Sequence, residues 1–123
     1  MQIEQVSYQE VAPFAGLAAK ERTSISDTKA TEWFVIRSSA GQIWAVAGLI
    51  KCSFGYRIKG VFVPKDLRGS GLGGKLTQFL FDKCDERCAG IEVYAYNESF
   101  YIEHGFRKFG TLPNGAAKLR RQW

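Results

Sequence analysis

The chain is poor in the residues that build metal and disulfide chemistry. Its 123 residues include one histidine, His104, and three cysteines, Cys52, Cys84 and Cys88. A Cys/His metal cage needs about four such ligands at close spacing, which this pool does not offer, so no metal is expected. Cys84 and Cys88 stand at i, i+4 on an expected helix, a poor spacing for a disulfide, and all three cysteines read as reduced. Apolar runs are short too, and none approaches the roughly 20 residues of a membrane span. The N-terminus has no basic-then-apolar signal pattern, which points to a cytoplasmic protein. Repeats and low-complexity segments are lacking. So is any run of five or more basic residues, although net charge is +5 and the pI about 9.2. Residues 59–123 carry eleven Lys/Arg against seven Asp/Glu. Such an excess suits a phosphorylated ligand and only weakly suggests nucleic acid.

What is present is ordinary for a folded domain: 46% apolar and 24% charged residues. That length and composition fit one domain over residues 1–123, with a single core.

Taken in order, residues 2–7 alternate weakly and suggest a first strand. Val11 to Arg22 is Ala- and Leu-rich, with Pro13 suited to a first helical turn. Thr23 to Thr31 is polar around a lone Ile25 and reads as a mobile loop. Trp33–Arg37 and Ile43–Ile50 are strands around a Ser38–Gln42 turn, and Tyr56–Val63 is a third hairpin-connected strand. From Gly71 to about Cys88, apolar residues at 72, 76, 79, 80 and 84 repeat at helical spacing, and Ala89-Gly90 stops the helix. Ile91–Tyr96 is a strand, Glu98–His104 a short helix ended by a cationic histidine, and Phe106–Leu112 a strand. Pro113-Asn114-Gly115 turns the chain into a last strand, Ala116–Arg121. This hairpin and Trp123 could form the edge of a homodimer. The expected order is β-α-β-β-β-α-β-α-β-β: an α/β (α+β) fold with a mixed sheet of six to seven strands flanked by about three helices.

The junction between the third hairpin strand and the long helix carries the functional signal. Gly60-Val-Phe-Val-Pro64 runs into Arg68, then Gly69, Ser70, Gly71, Leu72, Gly73 and Gly74. Glycines there leave backbone N–H groups unscreened, and a helix start adds unbonded N–H groups with a partial charge near +0.5. The combination is an anion site, suited to phosphate or pyrophosphate. Three patterns overlap on it. Gly69-x-Gly71-x-x-Gly74 matches the dinucleotide fingerprint, but an acid should end the next strand and Glu92 opens it instead. Gly69-x4-Gly74-Lys75 approaches a P-loop, but Leu76 replaces the Mg²⁺-binding Ser or Thr. Arg68-x-x-Gly71-x-Gly73 matches the pyrophosphate loop of the GCN5-related N-acetyltransferase (GNAT) family.

The resemblance to GNAT acetyltransferases extends beyond the loop, over roughly residues 31 to 123. Ile91-Glu-Val-Tyr-Ala-Tyr-Asn97 is followed by Phe100-Tyr-Ile-Glu-His-Gly-Phe106, in which Tyr101 and Gly105-Phe106 match the family's Tyr-x-x-x-Gly-Phe ending. Members commonly place one further helical turn between the Asn and the Tyr, a departure that bears on Asn97 more than on Tyr101. The resemblance implies acetyl-CoA as cofactor and transfer of its acetyl group to an amine acceptor. It also implies backbone contacts to pantetheine from Phe62 and Val63, and pyrophosphate contacts from Arg68 through Gly74. Asn97 would bond the cofactor or merely cap the next helix. Tyr101 would be the general acid that protonates the leaving thiolate, since a phenol stays protonated at neutral pH. The base is less evident. Tyr56–Val63 has no carboxylate, and Glu92 is the nearest acid, a weak candidate beside deprotonation through water. Two alternatives stay open: a non-catalytic acyl-CoA-binding or regulatory module, and a nucleic-acid-directed variant of the same fold.

Overall fold

The computed structural model describes residues 2–27 and 30–122. They form one seven-stranded mixed sheet with strand order β1-β2-β3-β4-β5-β7-β6. The strands are β1 (Gln2–Val6), β2 (Thr31–Arg37), β3 (Ile43–Cys52), β4 (Gly55–Phe62), β5 (Gly90–Ala95), β6 (Arg107–Thr111) and β7 (Ala117–Arg121). Neighbours are antiparallel except β4 and β5, which are parallel. A parallel pair needs a crossover, and the long helix α3 (Leu72–Glu86) supplies it. Trp123, expected at a dimer edge, lies outside the described residues; the C-terminal hairpin does put β6 at the edge of the sheet.

The apolar patterns explain the layers. In β2, Phe34 and Ile36 face one core while Trp33 and Val35 face another, so the strand reads as a continuous apolar run. The first core lies under α3 and the short helix α4 (Glu98–Glu103), where Leu72, Leu76, Leu80 and Cys84 form the predicted stripe. The second core gathers Val11, Ala18, Ile25, Trp33, Val35, Val46 and Phe62 beneath the N-terminal helical segment.

That segment departs from expectation. The helix expected over residues 11–22 is an irregular run made of α1 (Tyr8–Val11), a 3-10 turn (Ala12–Phe14) and α2 (Ala15–Ala19). Pro13 has no N–H to give an α-helical ladder, and the chain tightens around it instead of starting there. Glu21 and Arg22 fall in the closing turn, where Arg22 adopts φ +62°. The loop expected to be mobile is tied down on its described side. Ile25 is 5% exposed, and Lys59 Nζ donates to Ser26 Oγ at 3.2 Å; Thr28 and Lys29 lie outside the described residues. Cys88, expected as a helical residue, follows the end of α3, and Cys52, Cys84 and Cys88 are free thiols.

Two features of β4 prepare the site. It pairs with β5 only from Gly55↔Gly90 to Ile58↔Val93. Beyond that point its register with β3 slips, from Gly48↔Lys59 to Val46↔Phe62, so that an extra residue bulges out. Gly60, at φ +64°, sits in the bulge, and a Cβ there would lie 2.9 Å from both Ser24 O and the Trp33 ring.

Candidate active site

Where β4 and β5 part, two clefts open. One, of about 260 Å³, is lined by Val61, Gly73, Gly74, Thr77, Asn97, Phe100 and Tyr101. The other, of about 440 Å³, runs past Arg22, Arg57, Lys59, Tyr94, Tyr96 and Asn114. Val61, Asn97 and Tyr101 line both, so these three residues form the wall the clefts share.

The glycine turn leads into the smaller cleft. Gly71 caps α3 at φ +77°, and Gly69 has φ +90°. The first helical bond at this end runs from Lys75 N to Gly71 O at 3.0 Å. Helix geometry therefore leaves the N–H groups of Leu72, Gly73 and Gly74 without intrahelical partners. No acid stands in the first turn to compete for them. A Cβ added at Gly69 or Gly71 would meet no protein atom within 4 Å, so φ and not packing demands glycine there. A Cβ on Gly73 would touch Val63 Cγ2 at 3.5 Å, and one on Gly74 the Phe100 ring at 3.8 Å. Side chains are thus kept off the approach to the helix start, as a pyrophosphate cradle requires.

The other residues expected at the cofactor divide sharply. Leu72 is buried in the core, and the Phe62 ring packs 6.3 Å from Phe14 on the far side of the sheet. Neither Phe62 nor Val63 is among the residues lining the two clefts, whereas the preceding Val61 lines both. Ser70 Oγ donates to Leu67 O at 2.9 Å and stiffens the turn. Arg68 does not point its charge freely outward. Its Nε donates to Val63 O at 2.9 Å, and its other end pairs with Glu21, tying the turn to the N-terminal segment.

Tyr101 is 4% exposed, with its ring against Phe81, Phe100 and Phe106 at 6.2, 5.1 and 5.4 Å. Burial pushes its hydroxyl pKa up to about 12. The phenol therefore holds its proton throughout the neutral range. Asn97 occupies the N-cap position of α4 but makes no side-chain capping bond, and it lines both clefts. His104 donates from Nδ1 to Phe100 O at 2.7 Å, packs on the Phe100 ring and takes the C-cap position of α4.

Glu92 stands differently from its expected role as base. It is 2% exposed and accepts bonds from Arg57 Nε at 2.8 Å and Arg120 Nε at 2.9 Å. Burial alone would raise its pKa, but the hydrogen bonds from Arg120 and Arg57 outweigh it and hold the carboxyl below the usual range. A carboxylate gripped in this way accepts a proton poorly, and it ties β4 to β5 and β7.

Thr77, whose Oγ1 donates to Gly73 O at 2.6 Å, also lines the smaller cleft, and Arg22, Arg57 and Lys59 line the larger one. None was expected at a site. Arg57 and Lys59 alternate along one strand, a period-2 signal that they share a face. Arg22 gives no such signal.

The acetyltransferase (GNAT) domain family model matches residues 2–115. No curated protein matches the chain. Among solved structures, an IAA acetyltransferase from Bacillus cereus is 18% identical with a TM-score of 0.78, covering 99% of both chains. The Mycobacterium tuberculosis protein Rv2747, solved in complex with CoA and NLQ, is 13% identical with a TM-score of 0.81, covering 100% of this chain and 99% of that one. A GNAT-family acetyltransferase from Staphylococcus aureus is 19% identical with a TM-score of 0.73, covering 98% and 97%.

Proposed function

Because the chain belongs to the GNAT acetyltransferase family, we propose that it is an N-acyltransferase moving an acetyl group from acetyl-CoA directly to a primary amine. The observation that carries this reading is the shared wall. Tyr101 lines both a cleft bordered by Gly73 and Gly74 and a second cleft bordered by Arg22, Arg57 and Lys59. Two reactants can therefore meet at one phenol.

Acetyl-CoA supplies a thioester, an acyl group already activated for transfer. In this reading the N–H groups of Leu72, Gly73 and Gly74 hold the pyrophosphate, with Gly69, Ser70 and Gly71 shaping the turn and Arg68 bracing it. The backbones of Phe62 and Val63 hold the pantetheine arm in the gap, and the Asn97 side chain is placed to bond it. As the N–C bond forms and the C–S bond breaks, the amine loses a proton to solvent and the sulfur gains hydrogen-bond support from Tyr101. An ordinary thiol has a pKa of about 8.5. A phenol near 12 does not surrender its proton fully to such a thiolate, so Tyr101 acts as a fixed donor to developing charge. Glu92 and Glu21 are both ion-paired, which leaves deprotonation of the amine to water.

A thermal-shift and calorimetric titration tests cofactor binding. Acetyl-CoA at 100 times its Kd should stabilise the fold by about 2.7 kcal/mol. Absence of binding at millimolar acetyl-CoA would refute the reading. The pairing of both carboxylates also suits a non-catalytic acyl-CoA-binding module, and steady CoA release with amines separates the two.

A further inference from the structure

The larger cleft has a charge of its own. Among the described residues, Arg22, Arg57 and Lys59 line it together with one carboxylate, Glu21. Glu21 is committed to Arg68. Glu92, just beneath Arg57, is shared with Arg120 at 2.9 Å, so one carboxylate serves two guanidiniums. Among the described lining residues three cations thus stand with one carboxylate, so the formal charge of the lining is positive. Lys59 also donates to Ser26 Oγ, and its ammonium lies 5.7 Å from the Trp33 ring centre. Burial, and then the charge of Arg57, lower the pKa of Lys59, as expected where cations are crowded.

Arg22 adds a second, independent observation. Arg22 N donates to Ala19 O at 3.1 Å and Thr23 N to Ala18 O at 3.0 Å, the paired bonds of a Schellman helix end. The residue at its left-handed position is ordinarily glycine, yet here it is an arginine at φ +62°. Its guanidinium lies over Tyr96, 6.0 Å from the ring centre, at the cleft. Among the described residues no carboxylate pairs with it. A left-handed backbone position that ordinarily takes glycine thus carries an arginine that lines the cleft.

We infer that the acceptor is a small amine bearing a carboxylate or phosphate, whose anionic group is bound by Arg22, Arg57 and Lys59 while its amine points toward Tyr101. The inference rests on the transferase reading and narrows it to a substrate class. A cleft of about 440 Å³ suits a metabolite-sized molecule. The positive surplus also disfavours cationic amines such as polyamines.

The test is CoA release from saturating acetyl-CoA with matched amines: L-amino acids against their amides, O-phosphoethanolamine against ethanolamine, and spermidine. At least one anionic amine should exceed its neutral counterpart about tenfold or more in kcat/KM, with spermidine the poorest. Arg22→Gly should raise the KM for that acceptor about tenfold with a smaller change in kcat and no loss of thermal stability, because glycine suits the φ. Arg22→Glu should raise it further and narrow the gap to spermidine. Preference for amides or spermidine, or an unchanged KM in Arg22→Gly, overturns this inference alone. Turnover of no amine, despite measured acetyl-CoA binding, overturns the transferase reading and this inference with it.

Discussion

The two ends of the β4–β5 pair use glycine for opposite purposes. At the paired end the backbones approach closer than any side chain permits: a Cβ on Gly55 would lie 2.2 Å from Gly90 O, and one on Gly90 2.7 Å from the Phe54 ring. At the open end Gly69 and Gly71 have nothing within 4 Å of a Cβ, and their positive φ values are what ask for glycine. Glycine at one end closes the sheet, and at the other it leaves a surface clear for a ligand. Substitutions at the first should therefore cost the fold, and at the second the ligand.

The largest effect is expected at the paired end. Gly55→Ala combines an atomic overlap with φ +149°, and should destabilise by about 4 kcal/mol. Chemical denaturation measures it directly. A loss below about 1 kcal/mol would mean that the strands can separate there without harm.

Next comes Tyr101→Phe, which keeps the ring packing and removes the donor. On the proposed mechanism, single-turnover acetyl transfer should fall roughly 10²–10³-fold, as for loss of one positioned donor, while acetyl-CoA affinity barely changes. A wild-type single-turnover rate would remove Tyr101 from the chemistry. Gly71→Val should follow, weakening CoA about 100-fold through a side chain at the cradle, with a smaller stability loss. Undiminished calorimetric affinity in a folded variant would reduce the loop to a turn.

The elements of this fold were legible because their signals are local. The stripe Leu72, Leu76, Leu80 and the apolar run Trp33 to Ile36 name a helix and a two-faced strand without any partner in view. Pro13 misled because its effect depends on where the helix starts, and the chain starts it at Tyr8. The Gly60 bulge could not be read, since the strand pattern runs straight through it and the Trp33 ring that forbids a Cβ lies far away in sequence. The same limit hid the larger cleft. Arg22, Arg57 and Asn114 come from distant segments, and only the fold brings them together. Arg68 was visible as a charge but not as a brace, because Glu21 lies 47 residues away.

Glu92 sharpens the comparison from the paired end, where it stands opposite Arg57 in the register. Glu92→Gln should cost about 2 kcal/mol, below the roughly 3–5 kcal/mol for breaking a fully buried pair, because Arg57 and Arg120 are 34% and 40% exposed and can rehydrate. Its folded pKa is depressed, so its contribution is present above the unfolded value of about 4.3 and lost as pH falls through the folded value. The Gln variant should lack that part of the acid sensitivity. A variant of unchanged stability but much slower single-turnover transfer would restore Glu92 as the base.

The smallest effect concerns Cys88, beside the paired end and opposed in character to Arg22. It too occupies the left-handed position after a helix, at φ +54°, with Cys88 N bonded to Asp85 O at 3.1 Å and Ala89 N to Cys84 O at 3.0 Å. Unlike Arg22 it lines neither cleft. Two terms of opposite sign decide Cys88→Gly. Relief of the left-handed strain favours glycine by about 1–2 kcal/mol, and the greater freedom of glycine in the unfolded chain opposes it by about 0.5–1 kcal/mol. The side chain is exposed, so little packing is lost. The net should be a stabilisation of roughly 0.5–1 kcal/mol, seen as a rise in Tm, with acetyl-CoA affinity and acceptor KM unchanged. If Cys88→Gly raised acceptor KM as Arg22→Gly is expected to, strain at helix ends would be acting through the fold as a whole, and the assignment of Arg22 to the acceptor would lose its ground.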